Sequence, residues 1–221
     1  MTHLGSYIYN CSMRIFSNDP VKLLIGTRNK SKKKEMGELL SEIPLQLVSL
    51  VDMGIDDEVE EYGQTFEENA ILKAEGYGTL SGLLTLADDS GIEVDALGGR
   101  PGVFSARYAG LNATDEERNK MLMSELVNVP DNERTARFRC VVALWTPKTG
   151  VSTYEGKVEG LITRRPRGNN GFGYDPIFFS EEMGKTLAQI PATRKHRISH
   201  RGKAMEKAKV DLMESLKGPV V

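Results

Sequence analysis

Asp88 and Asp89 stand side by side in LADDSGIEV, at the end of a run that otherwise reads as a buried strand. Adjacent carboxylates repel unless a cation or a donor compensates them, and open α/β sheets take their ligands outside the carboxyl ends of strands. A hard divalent metal such as Mg2+ is one explanation of the pair. The other is a turn, since Asp followed by Ser-Gly is common turn chemistry. Glu60 and Glu61, in the acidic stretch DDEVEEYG, either bring a further carboxylate to the same metal or belong to a solvated loop.

The opposite pole is GTRNKSKKKE, between a strand and a helix, where free backbone N–H groups and the helix dipole favour an anion. Thr27, Asn29, Lys30 and Lys32 add side-chain donors, and phosphate is the natural candidate; a lysine-rich first turn exposed to water is the alternative. Neither this loop nor GKT at 184–186 has the spacing of a Walker P-loop. Further along, GNNGFGYDP lets backbone approach a ligand while Phe172 and Tyr174 offer aromatic surface, or it is a turn anchored in the core. KHRISHRGKA gathers Lys195, His200 and Arg201 around a helix start, as donors for a carbonyl or phosphate or as a solvated helix end. His196 and His200 are four apart but lack a nearby carboxylate or cysteine, so a zinc site is not expected there.

The elements that must position these groups follow from periodicity. VKLLIG, LQLVSL, LLTLAD, GIEVDAL, TARFRCVVALWT, STYEGKVEGLI and IFF read as strands. LLTLAD and GIEVDAL are expected to be joined by a turn through Asp89, Ser90 and Gly91. Helices are expected over 30–43, from Thr65 with Glu68 as a capping box, from Thr114 with Glu117 as another, and from about His200 with Ala204, Ala208, Leu212 and Leu216 four apart. In the second of these helices Phe66, Ala70, Lys73, Ala74 and Tyr77 share one face. GGRPGVFSARYAG is too rich in glycine and proline for regular structure. Strands and helices interleave, so the class is α/β, with a mixed, elongated central sheet flanked by helices and two lobes around a cleft.

Across 221 residues, 39% are hydrophobic and 27% charged, an ordinary globular composition, and the net charge of -2 gives no reason to expect a nucleic-acid partner. No apolar run approaches the ~20 residues of a membrane span. Two cysteines, Cys11 and Cys140, make neither a disulfide framework nor a four-cysteine zinc site, which fits a reducing, cytoplasmic setting. Residues 1–20 lack the continuous apolar core of a signal peptide and read as an extension, disordered or non-native, ahead of one domain over 21–217; Met13 is an alternative start.

TRNKSK after a first strand, TFEENAILKA, ADDSG, GGRPGVFSARYAG, GFGYDPIFF and SHRGKA, in this order, resemble the Ham1-like inosine/xanthosine triphosphate pyrophosphatase family over about Val21 to Leu216. The resemblance implies Mg2+-dependent hydrolysis of ITP, dITP and XTP to the monophosphate and pyrophosphate by a cytoplasmic homodimer, with the cleft binding the nucleotide. It also implies roles. Thr27, Asn29 and Lys32 hold the triphosphate, Glu61 and Asp89 bind Mg2+, Asp89 is the general base, and Ser90 contacts substrate. Phe172 stacks on the purine, Gly173, Tyr174 and Asp175 complete that wall, and Lys195, His200 and Arg201 read the 6-oxo group. Arg28 stands where the family often has glycine, and GNNG replaces the more usual GTGG. The alternatives are a related pyrophosphatase for pyrimidine or modified bases and a nucleotide sensor without turnover.

Overall fold

The computed structural model describes residues 20–216; of the expected extension over 1–20, residues 1–19, with Cys11 and Met13, lie outside the described residues, as does position 217. Strands β1 (Val21–Ile25), β2 (Leu45–Ser49), β3 (Leu84–Val94), β4 (Thr135–Thr146), β5 (Gly150–Ile162), β6 (Phe178–Ser180) and β7 (Lys185–Thr186) form one mixed sheet in the order β2-β1-β3-β4-β5-β6-β7. β1 runs parallel to β2 and β3, and every pairing from β3 to β7 is antiparallel. Leu23, Leu24 and Ile25 of β1 are buried on both faces, as a parallel strand covered by helices on each side requires.

Helix α2 (Phe66–Ser81) covers one face, where Phe66, Ala70 and Ala74 meet Ala87, Val141 and Ala143. Helices α1 (Lys30–Leu39) and α5 (His200–Leu216) cover the other, where Met36, Leu39, Ala204, Met205, Ala208 and Leu212 join the strands in one cluster. α3 (Asp115–Glu125) closes a second cluster on Ile92, Phe138 and Phe178, to which it gives Leu122. Gly156 of β5 has no side chain because α5 begins there: a Cβ would collide with the His200 carbonyl.

Both expected helix starts form. Thr114 and Glu117 make a complete capping box, while Thr65 accepts from the Glu68 N–H and the Glu68 carboxylate reaches back to the N–H of Gln64, one residue before the cap. Two short elements carried no periodic signal, β7 and the seven-residue α4 (Ala192–Ile198), and the glycine-rich 98–110 segment folds partly as a 3-10 turn over Gly102–Arg107.

The turn expected through Asp89, Ser90 and Gly91 is corrected. β3 runs unbroken through all three, because β4 pairs with it residue by residue: Asp88 with Val142, Asp89 with Val141, Ser90 with Cys140, Gly91 with Arg139. Ten consecutive cross-strand partners outweigh the local preference of Asp-Ser-Gly for a turn. Gly91 instead serves close approach, since a Cβ there would stand 2.5 Å from the Gly102 carbonyl oxygen of the 3-10 turn. Gly91→Ala is therefore expected to cost about 1–3 kcal/mol through overpacking. Urea unfolding checks this, and an unchanged midpoint would mean that the turn shifts freely off the strand.

Candidate active site

The site opens where one strand outlasts its neighbour. β1 pairs with β3 only from Leu84 to Leu86, and the Gly26 N–H makes the last bond, to Leu86 O at 2.8 Å. β3 continues for eight more residues to Val94, past the end of β1 and met again from Ile92 onward by the 100–105 segment, so Asp88, Asp89 and Ser90 lie beside the carboxyl end of β1. The end of β1, not a chain reversal, leaves room beside these groups.

Because side chains alternate across a strand, the two aspartates face opposite sides of the sheet, and Asp88 pairs with Lys32 while Asp89 pairs with Lys73. Asp88 is fully buried on the α5 side. Its Oδ2 accepts from Arg201 Nε (3.1 Å) and Nη2 (3.0 Å) and from Ser90 Oγ (3.2 Å), and the Lys32 ammonium stands 3.3 Å away. Burial opposes ionisation of this carboxyl, but Lys32, Arg201 and Lys73 outweigh it and hold the group well below the usual carboxylate range. The repulsion expected between neighbours is thus relieved for Asp88 by the protein's own cations.

Asp89 faces α2, where Asn69 Nδ2 donates to its Oδ2 (3.2 Å) and Lys73 lies 3.5 Å from Oδ1. The Lys73 ammonium also donates to Glu61 (2.7 Å), so Glu61 and Asp89 approach one positive centre from two elements. Burial, with Glu61 and Asp88 nearby, lifts the Asp89 carboxyl above its ordinary value against the pull of Lys73 and Lys32. No group of three His, Cys, Asp or Glu side chains is arranged to hold a metal ion among the described residues. The donor set nevertheless suits a hard ion that keeps most of its waters and takes further oxygens from a phosphate: two carboxylates meet at a point that already holds a cation.

Across this cavity of about 170 Å³ stand Thr27, Asn29 and Lys32 at the start of α1. Asn29 caps its own helix, accepting from the N–H groups of Ser31 (2.9 Å) and Lys32 (3.0 Å). Two of the N–H groups expected to meet an anion are therefore occupied, and the side chains of Thr27, Asn29 and Lys32 carry that role. Arg28 points away from them, donating to the carbonyls of Asp56 (2.6 Å) and Asp57 (2.9 Å), and so ties the acidic loop that bears Glu61 to the α1 loop.

A second cavity of about 100 Å³ adjoins the first through Asn29, Lys32, Ser90 and Ala106, and brings together Phe172, Gly173, Tyr174, Asp175, His200 and Arg201. Lys195 supports it from behind: its ammonium donates to Asp175 (2.6 Å), stands 3.4 Å from Glu35 and lies 5.1 Å from the Phe172 ring centre. Arg201 lies 5.6 Å from the same ring and also pairs with Glu35. Burial, reinforced by Arg201 and Lys195, holds the His200 imidazole well below its usual value, and the neutral ring stacks on Phe138 at 4.6 Å.

Tyr174 corrects one expectation. Rather than offering open aromatic surface it is 4% exposed, its hydroxyl donating to Ser105 O at 2.8 Å. Asp175 likewise shapes the loop, accepting from the Phe172 N–H (3.0 Å). Sequence reading passed over the groups that hold this wall: Asp115 accepts from the Gly173 N–H (2.7 Å), Asn119 donates to Gly173 O (3.0 Å), and Glu35 joins Lys195 to Arg201. It counted Lys73 only for its apolar stem. Burial at an apolar helix position was the available sign that its ammonium needs anionic partners.

The chain matches the Ham1 family over residues 23–210. A dITP/XTP pyrophosphatase of Geobacter sulfurreducens is 51% identical over 184 residues, covering 83% of this chain and 92% of the relative. One from Bacillus subtilis is 46% identical over 184 residues, covering 83% and 93%. The solved structure of a HAM1 protein from Coxiella burnetii superposes with a TM-score of 0.79 at 42% identity, covering 88% of this chain and 99% of its own. Agreement of this extent in sequence and in fold means that the chain belongs to the Ham1 family.

Proposed function

We propose that this protein hydrolyses non-canonical purine nucleoside triphosphates, dITP, XTP and ITP, to the monophosphate and pyrophosphate with Mg2+ as cofactor. The observation that carries the reading is the continuity of the two cavities: a carboxylate and phosphate-binding compartment around Asp89 opens directly into a compartment walled by Phe172 and the FGYD loop. Relatives named dITP/XTP pyrophosphatases support the same substrate class.

In this reading the base stacks on Phe172 and the triphosphate crosses Ser90 toward Thr27, Asn29 and Lys32. Asp89, lifted by its burial, accepts the proton of a water whose oxygen attacks the α-phosphorus. The bond to the α–β bridging oxygen breaks, and its electron pair leaves with pyrophosphate. Mg2+ held by Glu61 and Asp89 supplies charge neutralisation of the triphosphate. Arg201, which lines the base compartment, has most of its donors on carboxylates and Ser90 and retains one N–H for a 6-oxo acceptor, which a 6-amino group would leave unpaired, while Lys195 acts from behind the wall through Asp175. The homodimer and the cytoplasmic location come with the same reading and rest on the family resemblance alone.

Steady-state hydrolysis of dITP, XTP, GTP and ATP with Mg2+, scoring pyrophosphate apart from orthophosphate, tests this. Pyrophosphate release with kcat/KM for dITP and XTP about 10²-fold or more above ATP is expected. Orthophosphate release, or equal rates for all four, would overturn it.

A further inference from the structure

We propose that Arg107 is a phosphate-binding residue of this site, holding the β- and γ-phosphates of the substrate and the pyrophosphate that leaves. The inference rests on the functional reading above and gives a role to the segment GGRPGVFSARYAG, which sequence and mechanism had left without one.

That segment is held firmly. Its 3-10 turn over Gly102–Arg107 lies on β3 at Gly91, where the absence of a side chain allows contact. Ser105 Oγ accepts from the Ile92 N–H (2.9 Å) and donates to Gly102 O (2.6 Å), and its carbonyl takes the Tyr174 hydroxyl. Ala106 follows, lining both cavities, and Arg107 lines the compartment of Asp89 and Glu61 but not that of Phe172.

The cations of that compartment differ in what they already hold. Arg28 donates to backbone carbonyls, Lys32 faces Asp88 at 3.3 Å, and Lys73 bridges Glu61 and Asp89. The Arg107 side chain has no hydrogen bond or ion pair among the described residues; its guanidinium rests against the Phe104 ring, 5.0 Å from the centre. A half-buried guanidinium, braced by an aromatic ring, paired with no carboxylate among the described residues and lining a phosphate-sized cavity, is suited to bidentate pairing with phosphate oxygens. Placed beyond Asp89 from the base, it meets the distal phosphates, where negative charge grows as the α–β bond breaks.

The test is calorimetric titration of the full chain and of Arg107→Ala and Arg107→Lys with pyrophosphate and, separately, with IMP. In Arg107→Ala, pyrophosphate affinity is expected to fall about tenfold or more, with IMP affinity held, and kcat/KM for dITP to fall about 10–100-fold. Lysine, which keeps the charge but loses the fork, should recover part of each. Unchanged pyrophosphate affinity in Arg107→Ala would overturn the proposal, and so would an equal loss for IMP, which marks a general collapse of the site. A parent chain that binds neither probe and does not turn over dITP would instead overturn the functional reading, and the role of Arg107 with it.

Discussion

Asp89→Asn is expected to lower kcat for dITP by about 10²–10⁴-fold, the range for loss of a positioned general base. The substitution keeps the side chain's shape on β3, and Asn69 and Lys73 remain around it. Because burial lifts the Asp89 carboxyl, its charge costs the folded state free energy at neutral pH, so removing it should leave the thermal midpoint unchanged or slightly higher. The same lift sets the direction of its titration. Without Mg2+, the Asp89 carboxyl should take up its proton above the ordinary aspartate value of about 3.9 in an NMR titration, and that titration should vanish in the variant. Turnover within about tenfold of the parent would remove Asp89 as the base.

The neighbouring carboxylate should behave in the opposite way. Asp88→Ala leaves Arg201, which is fully buried, with only Glu35 and Ser90, and half-buried Lys32 with no acidic partner among the described residues. Breaking a buried pair by deleting one member costs about 3–5 kcal/mol. For a chain of this size that lowers the midpoint by about 6–20 °C, at roughly 2–4 °C per kcal/mol. Burial opposes the Asp88 charge, yet Lys32 and Arg201 hold its carboxyl well below the usual range, so its stabilisation is fully present above the unfolded value of about 4 and is lost as the pH falls below it. The gap between parent and variant should therefore be widest near neutrality and narrow below about pH 4. Thermal melts across pH measure this, and a midpoint matching the parent at pH 7 would show that Arg201 is adequately held by Glu35 alone.

Adjacent in sequence, the two aspartates are thus expected to separate into one that turns over substrate and one that holds two helices to the sheet. The alternation of side chains across β3 is the cause: Asp89 meets α2, whereas Asp88 meets α1 through Lys32 and α5 through Arg201.

Much of the scaffold was legible in the chain alone. The boundaries of β4, the register of apolar residues on α2 and α5, the capping box at Thr114 and the class of the sheet follow from local patterns, because periodicity and caps depend on neighbours a few residues apart. So did most of the candidate site, since Thr27, Asn29, Lys32, Glu61, Asp89, Phe172 and Arg201 stood in recognisable stretches. Only the tertiary structure decided the path through Asp89, Ser90 and Gly91, where pairing with β4 overrides a local turn preference, and the burial of Tyr174 against Ser105. It also decided which charges are compensated and which are not. Lys73, Glu35, Asp88 and Arg107 carry the same side chains in any sequence, but whether each meets a carboxylate, a carbonyl or open cavity depends on segments 12 to 166 residues distant, and no local pattern contains that information.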